Sequence, residues 1–184
     1  MRTNRSRAAI LAATSTAALT LSLIAGAGAA SAAKPAAKPT TKTAASAPAC
    51  TTKDVKISAA FQDGPPYTHI VLTAKNTTRH NCKLNGFPEI QFLESHRENV
   101  PAVPKSKPAA PVVLTPGAPA YALVRVSGGG VDEDVEPVTD FSVTLQGNGG
   151  MAAVKAPGHG IAVNPSKWKT GYWTHELRNG ADDF

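Results

Sequence analysis

The chain is short of the residues that most chemistry requires. It has two cysteines, Cys50 and Cys82, in 184 residues. It has no Gly-x-Ser-x-Gly turn, so the usual nucleophile elbow of a hydrolase is absent. Its five histidines, His69, His80, His96, His159 and His175, are scattered with no ligand spacing. Aromatic residues make up only 5% of the chain. Pro or Gly, fifteen of each, interrupts nearly every window long enough for an amphipathic helix. These gaps weigh against an enzyme and against a helical domain.

The basic pI invites a nucleic-acid reading, which the distribution of charge removes. The net charge is +6, from 19 basic and 13 acidic residues. Six of the basic residues, Arg2, Arg5, Arg7, Lys34, Lys38 and Lys42, precede Cys50, so thirteen remain against all thirteen acidic ones. The body of the chain is formally neutral and carries no Lys/Arg stripe. A nucleic-acid binder needs such a footprint to neutralise phosphates.

What is present begins with an export pattern. Arg2, Arg5 and Arg7 precede an uncharged run of Ala, Leu, Ile, Thr and Ser over residues 8–29. Ala30-Ser31-Ala32-Ala33 then offers the small residues a signal peptidase requires. Residues 1–32 are therefore expected to be a signal peptide, with no stable membrane span after processing. The run is just long enough to cross a bilayer but too rich in Ala, Ser and Thr to be held there. No adjacent Arg pair suggests the twin-arginine route, and no Cys at the cleavage point suggests a lipid anchor. Residues 33–49 hold Ala, Pro, Lys, Thr and Ser without a large apolar side chain. Such a segment cannot bury enough surface to offset its ordering entropy and reads as a disordered spacer.

Residues 50–184 are enough for one domain with a core. Val55, Ile57, Ala59 and Phe61 alternate with small or polar residues, as do Ile70, Leu72 and Ala74, and Phe141, Val143 and Leu145. Period-two alternation marks strands with one buried face. Further runs lie at 90–93, 112–114, 120–126, 151–155 and 161–163. Between them stand turn signals such as Asn85-Gly86, Pro116-Gly117 and Gly147-Asn148-Gly149-Gly150. The pattern predicts an all-β domain, an immunoglobulin-like antiparallel β-sandwich of about seven or eight strands. Residues 101–111 and 127–137 are expected to be long exposed links.

In an exported chain two cysteines favour one disulfide. Pairing Cys50 with Cys82 would close a loop of about 33 residues, with about 3–4 kcal/mol of chain-entropy stabilisation. Two free thiols, or a copper or zinc site using His80 and Cys82, stay open at this point. A tetrahedral metal site would need two more ligands, which His69 and His96 do not supply at any recognised spacing.

The segment Asn76-Thr77-Thr78, followed by Cys82-Lys83-Leu84-Asn85-Gly86-Phe87-Pro88-Glu89-Ile90, resembles the signature of an actinobacterial secreted family, domain of unknown function 4232. A later Leu114-Thr115-Pro116-Gly117-Ala118-Pro119-Ala120 resembles the family's second turn. The resemblance covers roughly residues 50–165. It implies a β-sandwich in which Cys50 is joined to Cys82, and no activity.

Three local features bear on function. Asn76-Thr77-Thr78 fits a glycosylation acceptor, but in a bacterial exported chain an Asn bonding the backbone of its own turn is the expected role. Asp132, Glu133, Asp134 and Glu136 follow Gly128-Gly129-Gly130. They lack the full calcium-loop pattern and read as a solvated acidic loop. Trp168, Tyr172 and Trp173 form the densest aromatic stretch. They are expected to plug the end of the sandwich; the alternative is a ligand-binding platform that stacks on sugar rings. A short terminal helix is expected to begin at Thr174-His175-Glu176-Leu177. The sequence thus implies a secreted, extracellular, loosely cell-wall-associated protein with no catalytic residue, no metal and no cofactor. It acts as a binding or structural module, and its candidate partners are a cell-wall or extracellular glycan or a protein, not nucleic acid.

Overall fold

The computed structural model describes residues 47–62, 64–92, 97–177 and 184. The expected signal peptide, residues 33–46 of the spacer, Leu93, His96 and residues 178–183 lie outside the described residues. The described residues all fall within the unit Thr41–Phe184.

The described residues are all-β. Eleven strands follow one another: β1 (Val55–Phe61), β2 (His69–Asn76), β3 (Cys82–Leu84), β4 (Glu89–Gln91), β5 (Val112–Leu114), β6 (Pro119–Arg125), β7 (Glu136–Val138), β8 (Asp140–Leu145), β9 (Gly150–Lys155), β10 (Ile161–Val163) and β11 (Lys169–Thr170). Each of the eight runs expected from the sequence contains a strand, with Leu93 of the run 90–93 outside the described residues. The other three, β3, β7 and β11, have two or three residues each and raise the count above the expected seven or eight. A single 3-10 turn lies at Pro104–Ser106. No helix among the described residues is long and apolar enough to cross a membrane.

Pairing between these strands is antiparallel, in sheets ordered β1-β2-β6-β11, β4-β8-β9, β3-β5 and β10-β7. Alternation does what period two requires. Ile70, Leu72 and Ala74 of β2, and Phe141, Val143 and Leu145 of β8, are all buried. They join Ile90, Val112, Leu114, Val154, Ile161 and Val163 from the other strands in one continuous core.

Register fixes two ends. Phe61 pairs with Ile70, and His69 with Arg125, so the loop at 62–68 and the chain after β6 emerge together. Val55 pairs with Asn76 at the other end, near Cys50 and the β8–β9 turn, where Thr52 N–H donates to Gly149 O.

Two expectations are corrected. The link at 101–111 is not simply exposed: Ser106 is fully buried, and Val103 N–H donates to Thr170 O. No terminal helix starts at Thr174. Its backbone pairs with Tyr121 in both directions, so the segment extends the sheet.

Candidate functional site

The joint at 76–88 is structural. Cys50 and Cys82 form a disulfide with Cα atoms 4.8 Å apart. Both sulfurs are thereby removed from any thiolate metal site. Asn76 is buried and its side chain is fully used. Its amide donates to His80 O at 2.8 Å and Leu114 O at 3.1 Å, and its oxygen accepts from Thr78 N–H and Oγ1–H. This is the expected turn-bonding role, with a further reach to the end of β5. Gly86 has φ +58°, a left-handed conformation that favours glycine, and the Gln146 side-chain amide occupies the space a Cβ would need.

Asp54 braces the same end. Its carboxylate accepts from Thr51 Oγ1–H at 2.7 Å and Thr51 N–H at 2.8 Å, and His80 Nε2 lies 3.4 Å away. The Thr51 hydroxyl bond, then the Thr51 amide and the nearby His80, hold its pKa below the usual carboxylate value.

The three C-terminal aromatics do not make a platform. Trp168 is 4% exposed and Trp173 1%. Trp168 packs at 5.8 Å from the Phe92 ring, itself edge-on to Phe141. Tyr172 alone is half-buried, edge-on to Phe87 and beneath the Lys107 ammonium. Burial of both indoles is the physical reason that Trp168, Tyr172 and Trp173 cannot together stack on a sugar face. They fasten the tail: the Trp173 backbone N–H donates to Gly86 O, and the Tyr172 backbone N–H to Ser106 Oγ.

Three of the four large hydrophobic residues exposed among the described residues lie at the opposite end from the disulfide. Among the described residues the exposed large hydrophobics are Tyr67 at 48%, Val131 at 100%, Val135 at 39% and Met151 at 66%. The first three border two adjoining grooves that share Gly130 and Glu133. One groove, of about 400 Å³, is lined by Phe61, Pro66, Tyr67, Val135, Ile161 and Ala162 among others. Phe61 and Tyr67 stack there with ring centroids 4.2 Å apart. The larger, about 900 Å³, runs under Val131 between the acidic loop and Asn164–Lys167, with Arg125 on its border.

Glu133 organises this end. Its carboxylate accepts from Gly128 N–H at 2.6 Å, Gly130 N–H at 3.2 Å and the buried Asn164 amide at 2.7 Å. Successive amides of a Gly run form a concave anion cradle, here filled from within. The Gly128 amide foremost, then Asn164 and Gly130, draw the Glu133 pKa down. The expectation of a wholly solvated acidic loop therefore needs correction: Glu133 turns inward, while Asp132 and Asp134 are exposed. No group of three metal-ligating side chains occurs among the described residues.

A family model described as Domain of unknown function (DUF4232) matches residues 50–174. The chain belongs to the DUF4232 family. The match extends past residue 165, so the aromatics fastening the tail are part of the DUF4232 domain. Comparison with curated proteins and with solved structures found no match.

Cys50, Cys82 and the turn at Gly86 were legible in the sequence. Phe61, Tyr67, Val131 and Val135 were not legible as a site. Their only signals were an isolated Val in an acidic loop and a Tyr beside Pro65-Pro66.

Proposed function

We propose that this DUF4232 domain is an exported, non-catalytic binding module with an immunoglobulin-like sandwich architecture. Its binding face is the end that carries Tyr67, Val131 and Val135. The observation that carries the reading is the gathering of Tyr67, Val131 and Val135, three of the four large apolar side chains exposed among the described residues, around one pair of grooves. Large apolar side chains gathered in water around a groove favour an interaction site. The export pattern, the spacer and the disulfide support a place at or outside the cell envelope.

The alternative of a glycan site on Trp168, Tyr172 and Trp173 loses support because both indoles are buried. A metal carrier using Cys82 loses its thiolate to the disulfide.

The test is retention of the full chain on the envelope fraction of its exporting cells. Retention is expected to fall in a Tyr67→Ser/Val131→Ser variant and to persist in Met151→Ser. Equal retention of the double variant, or turnover of a hydrolase substrate that a point mutation abolishes, contradicts the reading.

A further inference from the structure

The chemistry of the Tyr67 end specifies its occupant more closely than the binding role alone, on which this inference rests. We infer that this end takes a polypeptide segment bearing a large apolar side chain beside Lys or Arg. Three observations carry this.

The first is Val131. It is fully exposed at the tip of its loop, yet the loop is anchored: Glu133 is tied to Gly128, Gly130 and Asn164. The Asn164 side-chain oxygen in turn accepts from Ser166 N–H and Ser166 Oγ–H, which ties the cradle to the chain after β10. A fixed aliphatic side chain held in water costs little further entropy when a partner covers it. A sugar's hydroxyls gain nothing from an isopropyl group, whereas an apolar side chain does.

The second is the neighbouring groove. The Tyr67 ring, stacked on Phe61, has Pro66, Ile161 and Ala162 around it. Its volume of about 400 Å³ suits an amino-acid side chain with part of its backbone. Aromatic and proline-lined grooves are recurrent receptors for extended peptides.

The third is charge. Asp132, Glu133, Asp134 and Glu136 border the larger groove, against Arg125 and Lys167. Glu133 is engaged by its cradle, and Arg125 Nε donates to Ser127 O. Asp132 and Asp134 stand exposed on this border, and in formal charge the lining carries four carboxylates against two cations, which favours a cationic segment and repels an acidic one.

The experiment pans a random twelve-residue peptide library on the full chain and measures the selected peptides by fluorescence anisotropy. Selected peptides are expected to be enriched in Lys or Arg next to Phe, Leu, Ile or Tyr. Tyr67→Ser and Val131→Ser should each weaken them about ten-fold or more, the loss of one buried apolar side chain. Asp132→Asn/Asp134→Asn should weaken them about five-fold and flatten the dependence on salt. Selected peptides rich in Asp or Glu, peptides insensitive to Tyr67→Ser and Val131→Ser, or no selected peptides at all would each overturn the inference. So would binding of N-acetylglucosamine oligomers that Tyr67→Ser abolishes. If envelope retention depends on Tyr67 and Val131 while the library gives nothing, the binding role stands and the polypeptide partner falls. If retention is also independent of both residues, both fall.

Discussion

At the scale of single residues, Asn76 shows how a polar side chain holds a β domain together. Its four side-chain bonds connect the end of β2, the turn at 78–80 and the end of β5. Asn76→Ala leaves buried groups without partners and is expected to cost about 2–3 kcal/mol, measured by urea unfolding. Gly86→Val forces a side chain into a left-handed backbone against Gln146 and should cost about 2 kcal/mol or more, read as a clear fall in melting temperature. Asp54 makes stability depend on pH. Its folded pKa lies below the unfolded value, so its contribution is complete above about pH 4 and is lost as pH falls through the folded value. The stability gap between the native protein and Asp54→Asn should therefore close on acidification below about pH 4. Asn76 and Gly86 were legible in the sequence because Asn-Thr-Thr and Asn-Gly are local turn chemistry. Glu133 was not, because its partners Gly128 and Asn164 stand on either side of it in sequence and meet only in the folded chain.

At the scale of elements, every strand of five or more residues was legible, since one buried face imposes alternation on the sequence. The strands β3, β7 and β11 were not, because their two or three residues include Lys or Pro and complete no pattern. The Pro137 of β7 is tolerated because, among the described residues, that strand pairs with β10 alone and so lies at a sheet edge. The extended course of Thr174, where the sequence suggests a helix start, was not legible because its pairing with Tyr121 is long-range. Two expected outcomes belong here. Cys82→Ser opens a loop with a sequence separation of 32 and should destabilise by about 3–4 kcal/mol in oxidising buffer. Ser106→Ala removes the acceptor for Tyr172 N–H and should cost about 1–2 kcal/mol, with earlier hydrogen exchange at residues 170–173 than in the rest of β6 and β11.

At the scale of the whole domain, the bonds that fasten the fold and the proposed binding face occupy different ends. The disulfide, Asn76 and Asp54 fasten one; Tyr67, Val131 and Val135 present apolar surface at the other. Sequence composition anticipated a neutral, β-rich, disulfide-tied domain but pointed to the C-terminal aromatics as the binding alternative. Density of aromatics does not report exposure, and the most conspicuous indoles are the ones the core absorbs. If the end around Val131 meets a partner outside the cytoplasm, a photo-crosslinking amino acid placed there will capture it. Position 131 and, separately, the similarly exposed Met151 are to be labelled in the full chain exported by living cells. A discrete covalent adduct is expected from position 131, abolished by Tyr67→Ser, and none from position 151. No adduct at 131, or the same adducts from both positions, would contradict a binding face at this end.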